Sequence, residues 1–590
     1  MFGKKIKNYR KTKLESYLTG VLFCVIFFSG FLAWGNAMAA EHYIRPDITD
    51  DASLGCQYNG DGTTWSCASG TGAAGAFNTI PASASFVRGD TYYLSSGTWG
   101  APGSSLFEKA VSGELYIYIK KATTSAHGTD VGWISELGTG QAAFVGWYPK
   151  FTTGYWDIDG VVGGGSNPAS YGIYLIPPEN VCETEGVTIF SAPYFSSPVS
   201  HMKVKHLALN GCDVDKYPTS CTMLMYFRPS NLTGGGWSSN YEISNNYFGG
   251  LNQNAIYGIF VRDSVFANNY FAGNNSSTSS SVFTSSLNAA GSGYTVNDIL
   301  SVIRASNDED SFKIKVDSVD GSGGIAAYSM EKSGSSYAIE DGLSTTGGSG
   351  TGAKINVLSL AGGDNCHGET FNLRVSADID IKNNIFTNWN LYALGFHSYT
   401  VSLGYPEGSN IRTRVYNNIF DGADVTTTNW IIGNASSAEG NAMLDLEVFH
   451  NVFLNIVSGY MVNPVIIVDE EYYSKAYNNI FYNVNNPIFP DTVVEHDYNA
   501  YLKCTGTIEN ETNDQRDDDA ANPFVDSANG DYRLNIGTLP INNGKTDLGA
   551  TYVLDYAGTE RGASPDIGAY EYVGTSDTVA PASPSGLSVT

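Results

Sequence analysis

The sequence predicts an all-β solenoid of stacked parallel coils, a parallel β-helix, and three observations predict it. Short β-rich runs broken by Gly, Asn and Asp take the place of helical periodicity. Glycine supplies 66 of 590 residues while only 15% are charged, a composition poorly suited to helices. A signature of an apolar strand, two asparagines and an aromatic then recurs. YEISNNYF ends at Phe248, VFANNYF at Phe271, IDIKNNIF at Phe386, VYNNIF at Phe420, VFHNVF at Phe453 and AYNNIF at Phe481.

The regular steps between these aromatics are 23, 34, 33 and 28 residues, a period at which one strand-turn-strand unit stacks on the next. In each unit an apolar residue points inward, two asparagines make a corner, and the aromatic points inward again. Asparagine tolerates the left-handed backbone that a tight corner needs. Stacking places Asn over Asn, so side-chain amides pair along the axis. Residues from about 75 to 572, less an insert, should therefore form three-sided coils with Phe386, Phe420 and Phe453 in one column.

Residues 1–40 read as a secretory signal. Lys4, Lys5, Lys7, Arg10, Lys11 and Lys13 precede an apolar run from Leu18 to Trp34 and the small-x-small site Ala37-Met38-Ala39. An uncleaved anchor is the alternative, because the run is long for a signal core. Past Ala40 nothing is long and apolar enough to span a bilayer, so the mature chain is expected to be secreted or held at the cell surface. The whole chain carries 32 basic and 59 acidic residues; without the signal the balance is 26 to 58, or −32. That excess repels nucleic acid and anionic lipid and favours cations, calcium being the one cofactor it suggests.

Seven cysteines remain after the signal: Cys56, Cys67, Cys182, Cys212, Cys221, Cys366 and Cys504. Export permits their oxidation. Cys56 with Cys67 and Cys212 with Cys221 bracket short loops and are the expected disulfides, with at least one thiol left over.

The repeat is interrupted once, by the 115 residues from Phe271 to Phe386. Within that gap GSGYTVNDIL (Gly291–Leu300) resembles GSSYAIEDGL (Gly334–Leu343). Removing roughly 80 residues restores an ordinary coil. The division is thus a solenoid over 41–275, a small β module over 276–360, and a solenoid again over 361–572. The module resembles Gly-rich modules of phage-tail and surface proteins. Residues 573–590 are a Pro/Ser linker, and GLSVT resembles the first strand of a fibronectin type III domain.

IRPD (Ile44–Asp47), NGDGTTW and FVRGDTYYLSSGTW (Phe86–Trp99) resemble the first strands of bacterial right-handed parallel β-helix repeat proteins of the pectate-lyase-like superfamily. HDYNAY (His496–Tyr501), DYRL (Asp531–Leu534) and ERGASPDIGAYEY (Glu560–Tyr572) resemble the close of the same group. The resemblance implies a right-handed coil and an extracellular polysaccharide as partner.

Enzymes on such a solenoid use one parallel sheet and its flanking loops. The segment DNCHGETFNLR, with Asp364, His367, Glu369 and Arg374, stands at the start of a coil. His367 and Glu369 are two apart and share one face of a strand, as an acid/base or metal pair requires. His367, Glu369 and Arg374 are the catalytic candidates, and Tyr257, Trp389 and His397 the candidates for touching a sugar. The Arg- and Lys-centred motifs of established lyases are not recognisable. Three readings follow: a polysaccharide lyase or glycoside hydrolase, a non-catalytic glycan-binding adhesin, or a structural spacer.

Overall fold

A computed structural model describes residues 39–100, 103–182, 187–192, 198–212, 222–227, 236–251, 254–273, 282–303, 312–332, 337, 339–360, 369–387, 389, 392–397, 410–422, 430–434, 443–456, 475–487, 495–506, 508 and 511–573. The signal, His367, Cys221, Cys366 and the fibronectin-like strand lie outside the described residues.

The chain is a right-handed parallel β-helix. Among the described residues, two parallel sheets of 19 and 12 strands build its wall, and the larger bends to supply two of the three faces. Strand Glu369–Lys382 shows the bend: Glu369–Arg374 pairs with Tyr392–His397, and Ala377–Lys382 with Asn410–Tyr416. Val375 takes positive φ at the turn between them, and Asp378 does so just inside the second segment. We call the side carrying Glu369–Arg374 the first face and the side carrying Ala377–Lys382 the second. The 12-stranded sheet, with Ile385–Thr387, Ile419–Asp421 and Val452–Leu454, is the third.

The corner between the second and third faces is why two consecutive asparagines recur. The first takes the left-handed conformation at Asn245, Asn268, Asn383, Asn417 and Asn478, with His450 in the same role. The second is buried and forms a ladder through Asn246, Asn269, Asn384, Asn418, Asn451, Asn479 and Asn499. Each Oδ1 accepts the backbone N–H and Nδ2–H of the preceding rung at 2.9–3.1 Å. Each Nδ2 also donates to a carbonyl of a neighbouring coil, as Asn418 does to Ile381. Leu207 N–H caps one end of the ladder and Asp514 accepts at the other. A buried amide is tolerated only when its groups are paired.

Inside this corner Phe248, Phe271, Phe386, Phe420, Phe453, Phe481 and Tyr501 stack with centroids 4.5–5.1 Å apart. That spacing is the strand-to-strand distance, so each coil contributes one ring to one column, as the repeat implies. The column passes directly from Phe271 to Phe386. Between them in sequence, residues 282–360 form a six-stranded antiparallel sheet with its own core around Leu300, Ile314, Val316 and Ile355.

One expected disulfide is present: Cys56–Cys67 closes near the chain start. The other is corrected, because Cys212 bonds Cys182, not Cys221. The helical turn Glu179–Cys182 brings Cys182 beside Cys212, and their separation of 30 residues is about one coil. Cys504 is a buried free thiol.

Residues 539–573 fold back along the Asn corner as a strap. Asn417 Nδ2 donates to the Leu554 carbonyl and its Oδ1 accepts from Arg561. Asn478 binds Lys545 through both amide atoms, and Tyr552 OH donates to Glu447. The corner side chains thus serve twice, shaping the turn and docking the strap. Among the described residues no helix is long and apolar enough to cross a membrane.

Candidate functional site

Parallel register lines up the residues of the first face in rows. Tyr226, Tyr257, Asn372, Gly395 and Gly433 occupy one row, and Ile259, Arg374 and His397 the next. Phe371 and Leu373 alternate with them and lie in the core, which fixes the outward phase of Asn372 and Arg374. Tyr226 and Tyr257 stack at 5.4 Å and 15°, and the Arg374 guanidinium lies 5.2 Å from the Tyr257 centroid. Flat rings with a cation over one of them hold that cation in place by its attraction to the ring face.

The polar groups beside this platform are incompletely used. Asn372 is fully buried, yet among the described residues neither its Nδ2 nor its Oδ1 finds a hydrogen-bond partner. Arg374 Nε is likewise buried without one. Each such group costs about 1–3 kcal/mol if nothing satisfies it. Three unmatched atoms in adjacent rows are a concentration of unsatisfied buried polar groups that folded proteins seldom carry.

The sequence candidates fall as follows. Arg374 and Tyr257 meet in this platform, although Tyr257 is only 8% exposed. Arg374 pairs in register with His397, and Glu369 opens the strand opposite Tyr392. His367 and the side chains of Glu369 and His397 lie outside the described residues. Trp389 sits elsewhere, 1% exposed in the core and edge-on to Phe420, so it offers no sugar a face. Tyr226 and Asn372 were missed. Their signal was the odd-even phase of FNLR, where Asn372 shares a face with Arg374.

A second polar group lies on the second face. Lys205 Nζ sits 3.2 Å from Asp157 and 3.4 Å from Asp159, whose Oδ1 also contacts His206 Nδ1 at 2.7 Å. Burial raises the Asp157 pKa. At Asp159 burial pulls upward too, but the His206 bond and Lys205 outweigh it and the carboxyl ends below its usual range. Such a split resembles an acid–base pair, but register argues for structure. Asp157, Lys203 and Glu242 stand in one row, and Asp380, Arg414, Glu447, Lys475 and Glu495 continue it further along the axis. Along each stretch the signs alternate, so cross-strand neighbours pair. Lys205 is engaged by two carboxylates and is not left for a substrate. Among the described residues no three His, Cys, Asp or Glu side chains converge as a metal site requires.

No family model matches the chain, and no curated protein matches it. Solved structures similar to it include pectate lyase Pel9A, with TM-score 0.32 and 12% identity over 90% of this chain and 97% of that one. An alginate lyase from Paenibacillus sp. gives 0.31 and 11% over 73% and 99%. The PL6 family polysaccharide lyase Pedsa3628 from Pseudopedobacter saltans gives 0.27 and 9% over 76% and 92%.

Proposed function

We propose that the chain is an exported protein that binds and cleaves an acidic extracellular polysaccharide on its first face. The observation that supports this is Arg374, held over Tyr257 with Nε unmatched, next to the unmatched amide of Asn372. A guanidinium pairs with a carboxylate by short charge-assisted bonds. In a chain of net charge −27 an acidic glycan needs such a focus. Tyr226, half-buried and backed by Tyr257, supplies the flat apolar surface against which a sugar ring rests, while Tyr257 itself is covered by Tyr226 and Arg374. Neutralising a uronate carboxylate eases loss of the proton on the adjacent carbon. His367 and Glu369, a few residues before Arg374, are the candidates to move that proton.

The test is a panel of polygalacturonate, alginate and neutral glucan, read by reducing ends and by ultraviolet absorbance of unsaturated uronates. Acidic polymers should be bound and cleaved, with absorbance reporting elimination and reducing ends alone reporting hydrolysis. Arg374→Ala should weaken binding about ten- to hundred-fold, the range of one hydrogen-bonded charge. Equal handling of neutral and acidic glycans, or an Arg374→Ala protein that binds as before, would refute the reading. Binding without cleavage would leave an adhesin.

A further inference from the structure

Asp90, in the segment Phe86–Trp99, is 7% exposed and immediately precedes the strand Thr91–Leu94. Its carboxylate takes two partners. Oδ1 accepts the Ala40 N–H at 2.9 Å, and Oδ2 lies 3.0 Å from His42 Nε2. Among the described residues no Lys or Arg pairs with it. Arg88, two positions earlier, is committed to the carbonyls of Lys109, Ala110, Gly154 and Tyr155. A buried carboxylate without a cation is costly.

Ala40 stands where the sequence places a cut. The small-x-small site Ala37-Met38-Ala39 puts the scissile bond between Ala39 and Ala40. Both residues are exposed and precede the strand Glu41–Ile44, so that bond lies outside the sheet. The strand pairs in parallel register with Thr91–Leu94, and Thr91 N–H donates to the Ala40 carbonyl at 2.9 Å. On its other edge Tyr43 N–H donates to the Gly62 carbonyl and Arg45 N–H to that of Phe77. The Ala40 nitrogen is therefore aimed at Asp90 by backbone contacts that do not involve the leader.

Hydrolysis of the Ala39–Ala40 bond by a signal peptidase sends the oxygen of water to the Ala39 carbonyl carbon and both its protons to the Ala40 nitrogen. Ala39 leaves as a carboxylate, and Ala40 begins the chain as an ammonium. A neutral amide donor beside a buried carboxylate becomes a charged donor in the same place. Charge-assisted bonds of this kind are about twice as strong as neutral ones. Glu41 does not compete for the ammonium, because its carboxylate accepts from the hydroxyls of Tyr43 and Tyr93.

We propose that Asp90 is the docking site of the amino terminus made by this cut, so that removing the leader completes an ion pair and fastens the first strand to the end of the solenoid. The proposal rests on the export reading above and adds what cleavage does to the fold. The site is separate from the Arg374 platform.

Two measurements test it. The full precursor is expressed with its leader and the exported product is weighed by mass spectrometry, which should find a chain starting at Ala40. Residues 40–590, released from a fusion with no added residue, are then acetylated briefly at about pH 7. There an α-amino group of pKa about 7.7–8.0 outcompetes lysines near about 10.4. Pairing should slow acetylation of the Ala40 amine at least about ten-fold relative to Asp90→Asn. A chain starting at Ala39 keeps the Ala40 amide bond to Asp90 but moves the ammonium away. It should label at the rate of the urea-unfolded protein, and its Glu41–Ile44 amides should exchange hydrogen faster than those of the chain starting at Ala40. That comparison decides the question if Asp90→Asn does not fold. An intact leader refutes the export reading and this proposal together. An exported product starting at another residue, or an Ala40 amine that labels as fast as the amines of both comparison proteins, overturns this proposal alone.

Discussion

Replacing Asn418 with alanine removes one rung from the middle of the corner ladder. Its Oδ1 accepts the Asn384 N–H at 2.9 Å and the Asn384 Nδ2–H at 3.0 Å, and its Nδ2 donates to the Ile381 carbonyl at 2.8 Å. Asn418 is fully buried, so water does not readily replace what alanine removes. Two donors and the Ile381 carbonyl are left to find partners, each costing about 1–3 kcal/mol, and the Tyr416 carbonyl and Asn451 Oδ1 each lose one donor. Allowing for partial relaxation, the loss should be about 3–6 kcal/mol, a large part of the stability of a folded domain. Urea unfolding followed by tryptophan fluorescence measures it, with hydrogen exchange at the corner amides showing where protection falls. The comparator is Asn543→Ala, at an exposed turn where Nδ2 donates only to the nearby Leu539 and Ile541 carbonyls. That change should stay within about 0.5 kcal/mol of the parent. If Asn418→Ala costs no more than Asn543→Ala, the ladder does not stabilise the corner and the reasoning fails.

Phe420→Ala empties one position of the ring column between Phe386 and Phe453 and should cost about 3–5 kcal/mol in the same assay. Non-reducing peptide mapping should recover Cys182 linked to Cys212, and Cys182→Ser should lower stability by about 2–5 kcal/mol. Lys121 is buried with only carbonyls for partners, and burial pushes its pKa down to about 8. The unfolded lysine titrates near about 10.4, so folding is opposed while the ammonium must be kept. The deficit of the parent relative to Lys121→Met should be full below pH about 8 and shrink as pH rises toward about 10; thermal melts across that window would show it. Deleting residues 276–360 and joining the ends should leave a cooperative unfolding transition, whereas loss of the solenoid's circular-dichroism signal would place the segment in its core.

The solenoid was legible because its corner imposes two demands on adjacent residues. One position needs the left-handed backbone and the next a buried amide, so asparagine recurs twice over and the following aromatic marks the column. The cystine between Cys182 and Cys212 was not found because proximity along the chain was used where proximity between coils decides. Their spacing of one coil was the available signal. The charged rows of the second face need the register between coils, and loops of unequal length hide it in one dimension. Arg374 was visible as a charged residue in a strand, but its platform draws Tyr226, Tyr257 and Asn372 from three different coils.

The six-stranded sheet pairs its own first and last strands, from Val282 opposite Leu360 to Ser292 opposite Thr351. Its two ends therefore leave side by side, about one strand's width apart. Asn269 must find Asn384 across 115 residues of chain, yet once that sheet has formed the gap to close is only the two short linkers. Loop-closure entropy grows with the logarithm of the free length, about 0.6 kcal/mol per doubling, so cutting that length from the whole insert to the two linkers lowers the cost. A local sheet that forms first would therefore shorten the loop that the two halves of the wall must close. The junction is also a natural graft point, open to any autonomous unit whose termini meet.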